Sequence, residues 1–207
     1  GPVVAEIKGE DVEAALSRIS ANRRQTIDVG LLEYRSANGS TAHRYFANVC
    51  SFGVSGAIDR EVDRSTKMFG GKVSFYLGTL KGLLKYRDQR VRISFDGKPA
   101  QDLMVTTVAV GNGQYFGGGM KVCPAAELSD GLFDVTVWSG YGPKDFVLKS
   151  AGVYSGEHVK WPGTRTLRCR ELTAESDEEV LIDCDGEQPG TLPCRITLVA
   201  AALQLVI

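Results

Sequence analysis

The sequence predicts an α+β domain, predominantly β, built as an antiparallel two-sheet sandwich with a few attached helices. Two observations predict it. Short segments of alternating apolar residues outnumber the helical ones, and most of them are joined by brief turns marked by Asn-Gly or Asp-Gly. At 207 residues, 43% of them hydrophobic, the chain is long enough to bury one sizeable core. It carries no internal repeat, low-complexity segment or linker, so residues 3–207 read as a single domain. Gly1-Pro2 reads as a protease-cleavage scar and is left out of the fold.

In chain order, Val12, Ala15, Leu16 and Ile19 recur at helical spacing from Asp11 to Ala21, with Asp11 as N-cap. Thr26 to Leu32 alternates as a strand, Asn38-Gly39 marks a hairpin turn, and Tyr45 to Phe52 is the returning strand. A short polar helix is expected around Ile58 to Lys67. Lys72 to Arg87 carries the clearest helical period, with Val73, Tyr76, Leu77, Leu80, Leu83 and Leu84 on one stripe. Its lysines would suit an anionic membrane surface, although such stripes more commonly pack on a sheet. Strands follow at Val91 to Phe95 and Leu103 to Val110, with Asp96-Gly97 as the turn between them. Leu132 to Trp138 is a strand and Pro143 to Tyr154 a helix that opens on its proline. The remaining strands are Thr166–Thr173, Glu179–Cys184, Cys194–Ala200 and Leu203–Ile207.

Composition narrows the function. A formal net charge of −1 gives no electrostatic footprint for nucleic acid, so none is expected as a partner. No apolar run is long enough to span a bilayer, and no stretch reads as a signal peptide. The five cysteines, Cys50, Cys123, Cys169, Cys184 and Cys194, include no CxxC pair. With only His43 and His158 beside them, zinc is not expected, and buried inert thiols in a reduced cytoplasmic setting are. Trp161-Pro162 fits a buried tryptophan beside a turn better than an interfacial anchor. The pairs Arg23-Arg24 and Arg168 with Arg170 read as solvated surface.

Three stretches could carry chemistry. Val108 to Pro124 runs from a strand into a loop dense in glycine, where backbone can approach something closely. It has neither the helix nor the βαβ setting of a dinucleotide fingerprint, and no phosphate loop ending in Gly-Lys-Ser/Thr occurs anywhere. A strained surface loop is the plainer reading. Ala126 to Val135 contains Asp130-Gly131, a turn whose carboxylate and nearby carbonyls suit a hard cation, or merely stabilise the turn. Asp183-Cys184-Asp185-Gly186-Glu187 sets Glu187 just beyond an Asp-Gly turn at a sheet's end. A carboxylate there can orient an alcohol and take its proton, or simply be a solvated hairpin tip.

Taken in order, these stretches resemble the diacylglycerol kinase catalytic-domain superfamily, which includes bacterial lipid kinases, sphingosine kinases and ceramide kinases. The resemblance rests on Thr26-Ile27-Asp28-Val29-Gly30 after the first helix and on Phe46-Ala47-Asn48-Val49-Cys50-Ser51-Phe52-Gly53. It extends through Val110-Gly111-Asn112-Gly113-Gln114-Tyr115-Phe116-Gly117-Gly118-Gly119-Met120 and Leu128-Ser129-Asp130-Gly131-Leu132-Phe133-Asp134, and ends at Asp185-Gly186-Glu187. It covers nearly the whole chain. Any one of these motifs is weak, and the ordered set is strong.

The resemblance implies an ATP-dependent, Mg²⁺-dependent lipid kinase of phospholipid metabolism. Such kinases have an amino-terminal nucleotide domain with a GGDGT-type loop and a later GTGND-type motif. Neither motif occurs in these 207 residues, which correspond to the family's second, substrate-side domain. By resemblance, Glu187 is the general base. Asp130 is the Mg²⁺ ligand, with main-chain oxygens of Glu127 and Leu132, and Asp134 lies near that site. Gly117 to Gly119 fall near the cleft with no assigned contact, and ATP is bound mainly by the first domain. The implied partners are a lipid substrate, that nucleotide domain and, peripherally, a membrane surface. Two other classes stay open: a non-catalytic lipid-binding or partner-docking sandwich, and a regulatory domain whose site residues are vestigial.

Overall fold

The structure is a computed structural model that describes residues 12–56 and 87–207. The expected helices at Ile58–Lys67 and Lys72–Arg87, including the lysine-bearing stripe, lie essentially outside the described residues. Helix α1 spans Val12–Ala21 and α2 spans Pro143–Ser155; a 3-10 turn follows at Glu157–Lys160. The strands are β1 (Arg24–Ser36), β2 (Thr41–Phe46), β3 (Val49–Gly53), β4 (Gln89–Phe95), β5 (Gln101–Val105) and β6 (Thr107–Gly111). They continue with β7 (Phe133–Trp138), β8 (Thr164–Cys169), β9 (Glu171–Glu175), β10 (Leu181–Cys184) and β11 (Glu187–Val206).

Every pairing among them is antiparallel, and the order β5-β4-β9-β11-β10-β3-β6-β7-β8 runs as one hydrogen-bonded path, with β1 on β11 and β2 on β1. The sandwich-like character comes from the long strand β11. It pairs with β10 through its first residues, then with β9, and with β1 along nearly its whole length. Along the edge away from β1 it carries β10 and then β9, and from these two strands the two walls of one core extend. Val91, Ile93 and Phe95 of β4 and Leu172 and Ala174 of β9 supply one wall. Phe52, Val108, Val110, Phe133, Val135 and Ile182 of β3, β6, β7 and β10 supply the other. Alternate residues point to opposite faces of a strand. The other face of β3 and β6 therefore carries Val49 and Ala109, which pack with Val122, Cys123, Trp138 and Val153 in a second cluster. Phe46 and Phe133 stack with ring centroids 5.7 Å apart, tying β2 to β7 across the core.

Three runs expected as single strands are divided, and two expected strands are joined. Tyr45–Phe52 breaks into β2 and β3 at Ala47-Asn48. Leu103–Val110 breaks at Thr106, whose amide bonds to Trp138 O at 2.8 Å, so β5 and β6 lie far apart in the strand order. Thr166–Thr173 breaks at Arg170, where the Asp96 carboxylate accepts from the amides of Arg170 and Glu171. Conversely, Cys194–Ala200 and Leu203–Ile207 are one strand with a bulge at Ala201, whose φ of 51° lets the chain step past Asp28. Alternation of apolar residues survives all four features, which is why the pattern alone does not reveal them.

All five cysteines are buried and unpaired. Burial pushes the thiols of Cys123, Cys169 and Cys194 up to about 12, and Cys50 is also raised well above the ordinary range, again chiefly by burial. Thiolate is the reactive form. The native chain is therefore expected to resist a thiol reagent and to release five reactive groups only on unfolding; rapid labelling of the folded protein would contradict this packing. Trp161 is half-buried rather than buried as expected, and packs against Tyr141 and His158.

Candidate active site at one end of the sheet

Register brings four loops to one end of the β10-β3-β6-β7 sheet. Cys184 at the end of β10 faces Cys50 near the start of β3; Val49 faces Gly111 at the end of β6; Gly111 faces Asp134 at the start of β7. The β10–β11 turn, the β2–β3 turn, the glycine-rich loop after β6 and the 127–132 loop before β7 consequently share that edge. The first is a two-residue hairpin in which Asp185 (φ 51°) and Gly186 (φ 87°) both adopt left-handed backbone, the conformation that makes Asp-Gly a hairpin signal.

Hydrogen bonds fasten these loops to one another. The Asp185 carboxylate accepts from three successive amides, those of Ala47 at 2.9 Å, Asn48 at 3.2 Å and Val49 at 2.9 Å. Asp183 accepts from Gly186 N at 2.9 Å. On the other side of the β2–β3 turn, Asn48 O accepts from the amides of Asn112 and Gly113. A Cβ on Gly113 would stand 2.2 Å from Asn48 Oδ1, so any larger residue there would make the Asn48 side chain shift. Asn112, fully buried, donates its side-chain amide to Ala47 O at 2.8 Å and to Asp28 O at 2.9 Å. The Asp28 carboxylate, also buried, accepts from Gly131 N at 2.8 Å and Ala201 N at 2.7 Å, while its amide donates to Leu128 O. An unbroken series of bonds therefore runs from the Glu187 hairpin through Asp185, the β2–β3 turn, Asn112 and Asp28 to the Asp130 loop.

The expected site residues fall along this series. Glu187 opens β11 with its side chain 67% exposed, and its carboxylate pairs with the Arg44 guanidinium from β2. That hydrogen bond is the main reason the Arg44 pKa rises. Asp130 is more enclosed: Oδ1 accepts from Leu132 N at 3.0 Å and Oδ2 meets the Arg168 guanidinium from β8. Glu127 is exposed and Leu132 half-buried in the same loop. Asp134 is buried, opposite Gly111 and Arg168 in the ladder, and burial raises its pKa. Gly117, Gly118 and Gly119 all take positive φ in the loop closed by the Phe116–Met120 bridge.

The donors around Asp130 suit a hard cation in part. They comprise one carboxylate, with main-chain oxygens in the same loop, and water would complete the shell. Among the described residues no group of three or more His, Cys, Asp or Glu side chains gathers as a metal centre. Asp130 is instead balanced by Arg168, a partner the sequence reading left as plain surface. Arg44 and Asp28 also went unassigned. Arg44 left no signal, whereas Asp28 did: a carboxylate between Ile27 and Val29 in a buried strand must find partners.

A family described as the YegS C-terminal NAD kinase beta sandwich-like domain matches residues 48–207. A protein named diacylglycerol kinase from Mycobacterium tuberculosis is 28% identical over 184 residues, covering 88% of this chain and 57% of that protein. One of the same name from Bacillus subtilis is 26% identical, covering 90% and 58%. A probable lipid kinase YegS-like from Yersinia enterocolitica is 29% identical, covering 77% and 52%. A solved structure assigned as a diacylglycerol kinase from Bacillus anthracis superposes with a TM-score of 0.67 at 25% identity, covering 95% of this chain and 62% of that one. The chain therefore spans less than two thirds of the length of these relatives. It belongs to the YegS C-terminal, NAD kinase beta sandwich-like family, the carboxy-terminal domain of the diacylglycerol kinase-like lipid kinases.

Proposed function

We propose that this chain is the substrate-side domain of an ATP- and Mg²⁺-dependent kinase that phosphorylates the hydroxyl of a diacylglycerol-like or sphingoid lipid. The observation that carries the reading is the exposed carboxylate of Glu187 at a sheet end whose loops are bonded to one another. Phosphoryl transfer asks a protein chiefly to position groups and to balance charge. In this reading Glu187 accepts a hydrogen bond from the lipid hydroxyl, aims its oxygen at the γ-phosphorus and takes its proton as the bond to phosphorus forms and the bond to the departing ADP breaks. Asp183 and Asp185 hold the hairpin that carries Glu187. The Asp28–Asn112 bonds keep the Asp130 loop at a fixed distance from it. Asp130, with main-chain oxygens of Glu127 and Leu132, would hold the Mg²⁺ in competition with Arg168, and its contribution there is to stiffen the loop.

ATP is assigned to a nucleotide domain outside this chain, which places the phosphate donor and the base on separate halves. The lipid is drawn from a membrane at which the full-length kinase acts peripherally. No described helix is long and apolar enough to cross a bilayer. A turnover assay with ATP and diacylglycerol in mixed micelles tests the division of labour. The 207-residue chain alone is expected to form no phosphorylated lipid, and the full-length kinase to form it readily. Product from the isolated chain would refute the half-site reading, while lipid binding with no transfer by the full-length protein would favour a non-catalytic module.

A further inference from the structure

We infer that Arg44 is a positioning residue for Glu187, an inference that rests on the base role proposed above. The main chain of Glu187 is well fastened: it pairs with Cys184, and the preceding turn is held by Asp183 and Asp185. Its side chain is not. A glutamate has three rotatable bonds, and two thirds of this one is open to solvent. Arg44 supplies the direction, because its guanidinium meets Glu187 Oε2. A base must stand within hydrogen-bond reach of the proton it abstracts, so aiming the carboxylate is a condition of the chemistry.

The two partners also hang from one fastening. Arg44 lies on β2 opposite Leu32, three residues before Ala47. The amides of Ala47, Asn48 and Val49 all bond to Asp185, two residues before Glu187. Fixing that turn therefore fixes both ends of the ion pair. Exposed ion pairs add little to stability, so the fold gives no reason for this contact. Arginine fits the task, since its planar guanidinium keeps its charge at any working pH and meets a carboxylate in a defined orientation. The hydrogen bond to Glu187 raises its pKa further.

The test uses the full-length kinase with ATP and diacylglycerol micelles. Arg44→Ala is expected to lower kcat by about ten- to a hundredfold, the scale of misplacing a reacting group by an ångström. KM for both substrates and the melting temperature should stay unchanged. Arg44→Lys should recover part of the rate, as an ammonium supplies the charge without the planar fork. In a Glu187→Gln background, Arg44→Ala should cost nothing more. If Arg44→Ala keeps the normal kcat while Glu187→Gln is slow, the positioning role is wrong and the base assignment stands. A rise in KM alone would make Arg44 a ligand contact, and a lower melting temperature would make it structural; either overturns the inference. A normal rate in Glu187→Gln removes the base role and this inference with it.

Discussion

With Glu187 as the proposed base, Glu187→Gln in the full-length protein is expected to lower kcat by about 10²- to 10⁴-fold, the range a positioned general base contributes. Glutamine keeps the size and an acceptor oxygen but cannot take a proton, so the loss should appear in turnover with little change in KM. The melting temperature should hold, because the side chain is 67% exposed and its ion pair with Arg44 is a surface pair. Steady-state rates and a melt on the same preparations separate these effects. A variant within twofold of the wild-type rate would show that the proton leaves by another route.

Asp28→Ala should produce the largest loss of stability. The carboxylate is 3% exposed and accepts from two amides, Gly131 at 2.8 Å and Ala201 at 2.7 Å. Hydrogen bonds to a charged group contribute about 1.5–3 kcal/mol each, so losing both costs about 3–6 kcal/mol. For a chain of this size each kcal/mol shifts the melting temperature by about 2–4 °C, which puts the fall at about 6–24 °C. Asp28→Asn keeps one acceptor and should lose less. Because Ala201 sits at the β11 bulge and Gly131 next to Asp130, the damage should spread from the terminal strand to the site loop. Thermal melts of the 207-residue chain measure it, and a change below 3 °C would mean the two amides find other partners.

The sequence patterns that proved sound are those set by local chemistry. Alternation located the strand-forming segments, and two of the three Asp-Gly pairs, Asp96-Gly97 and Asp185-Gly186, take left-handed backbone at both residues, while in Asp130-Gly131 only the glycine does. Pro143 opens a helix that ends at Gly156, as proline and glycine ordinarily do. Breaks at Ala47-Asn48, Thr106 and Arg170 left no trace because they are fixed by partners far along the chain. Asp185 fixes the first, Trp138 the second and Asp96 the third. The site divides in the same way. Glu187 and Asp130 stood out because each follows or forms an Asp-Gly turn. Arg44 and Arg168 reach those carboxylates only through strand register, which a local reading of charge does not contain. Asp28 lay between, visible as a carboxylate in an apolar strand but without a partner until β11 returned beside it.

In the proposed reaction the acceptor hydroxyl arrives at the sheet end shared by Glu187 and the Asp130 loop. A structure of the full-length kinase with a non-hydrolysable ATP analogue and its lipid measures that directly. The lipid hydroxyl is expected about 2.6–3.2 Å from the Glu187 carboxylate, the reach a general base requires, with the γ-phosphate beyond it. A lipid hydroxyl bound at the opposite end of the β10-β3-β6-β7 sheet, out of reach of Glu187, would contradict the proposed reaction.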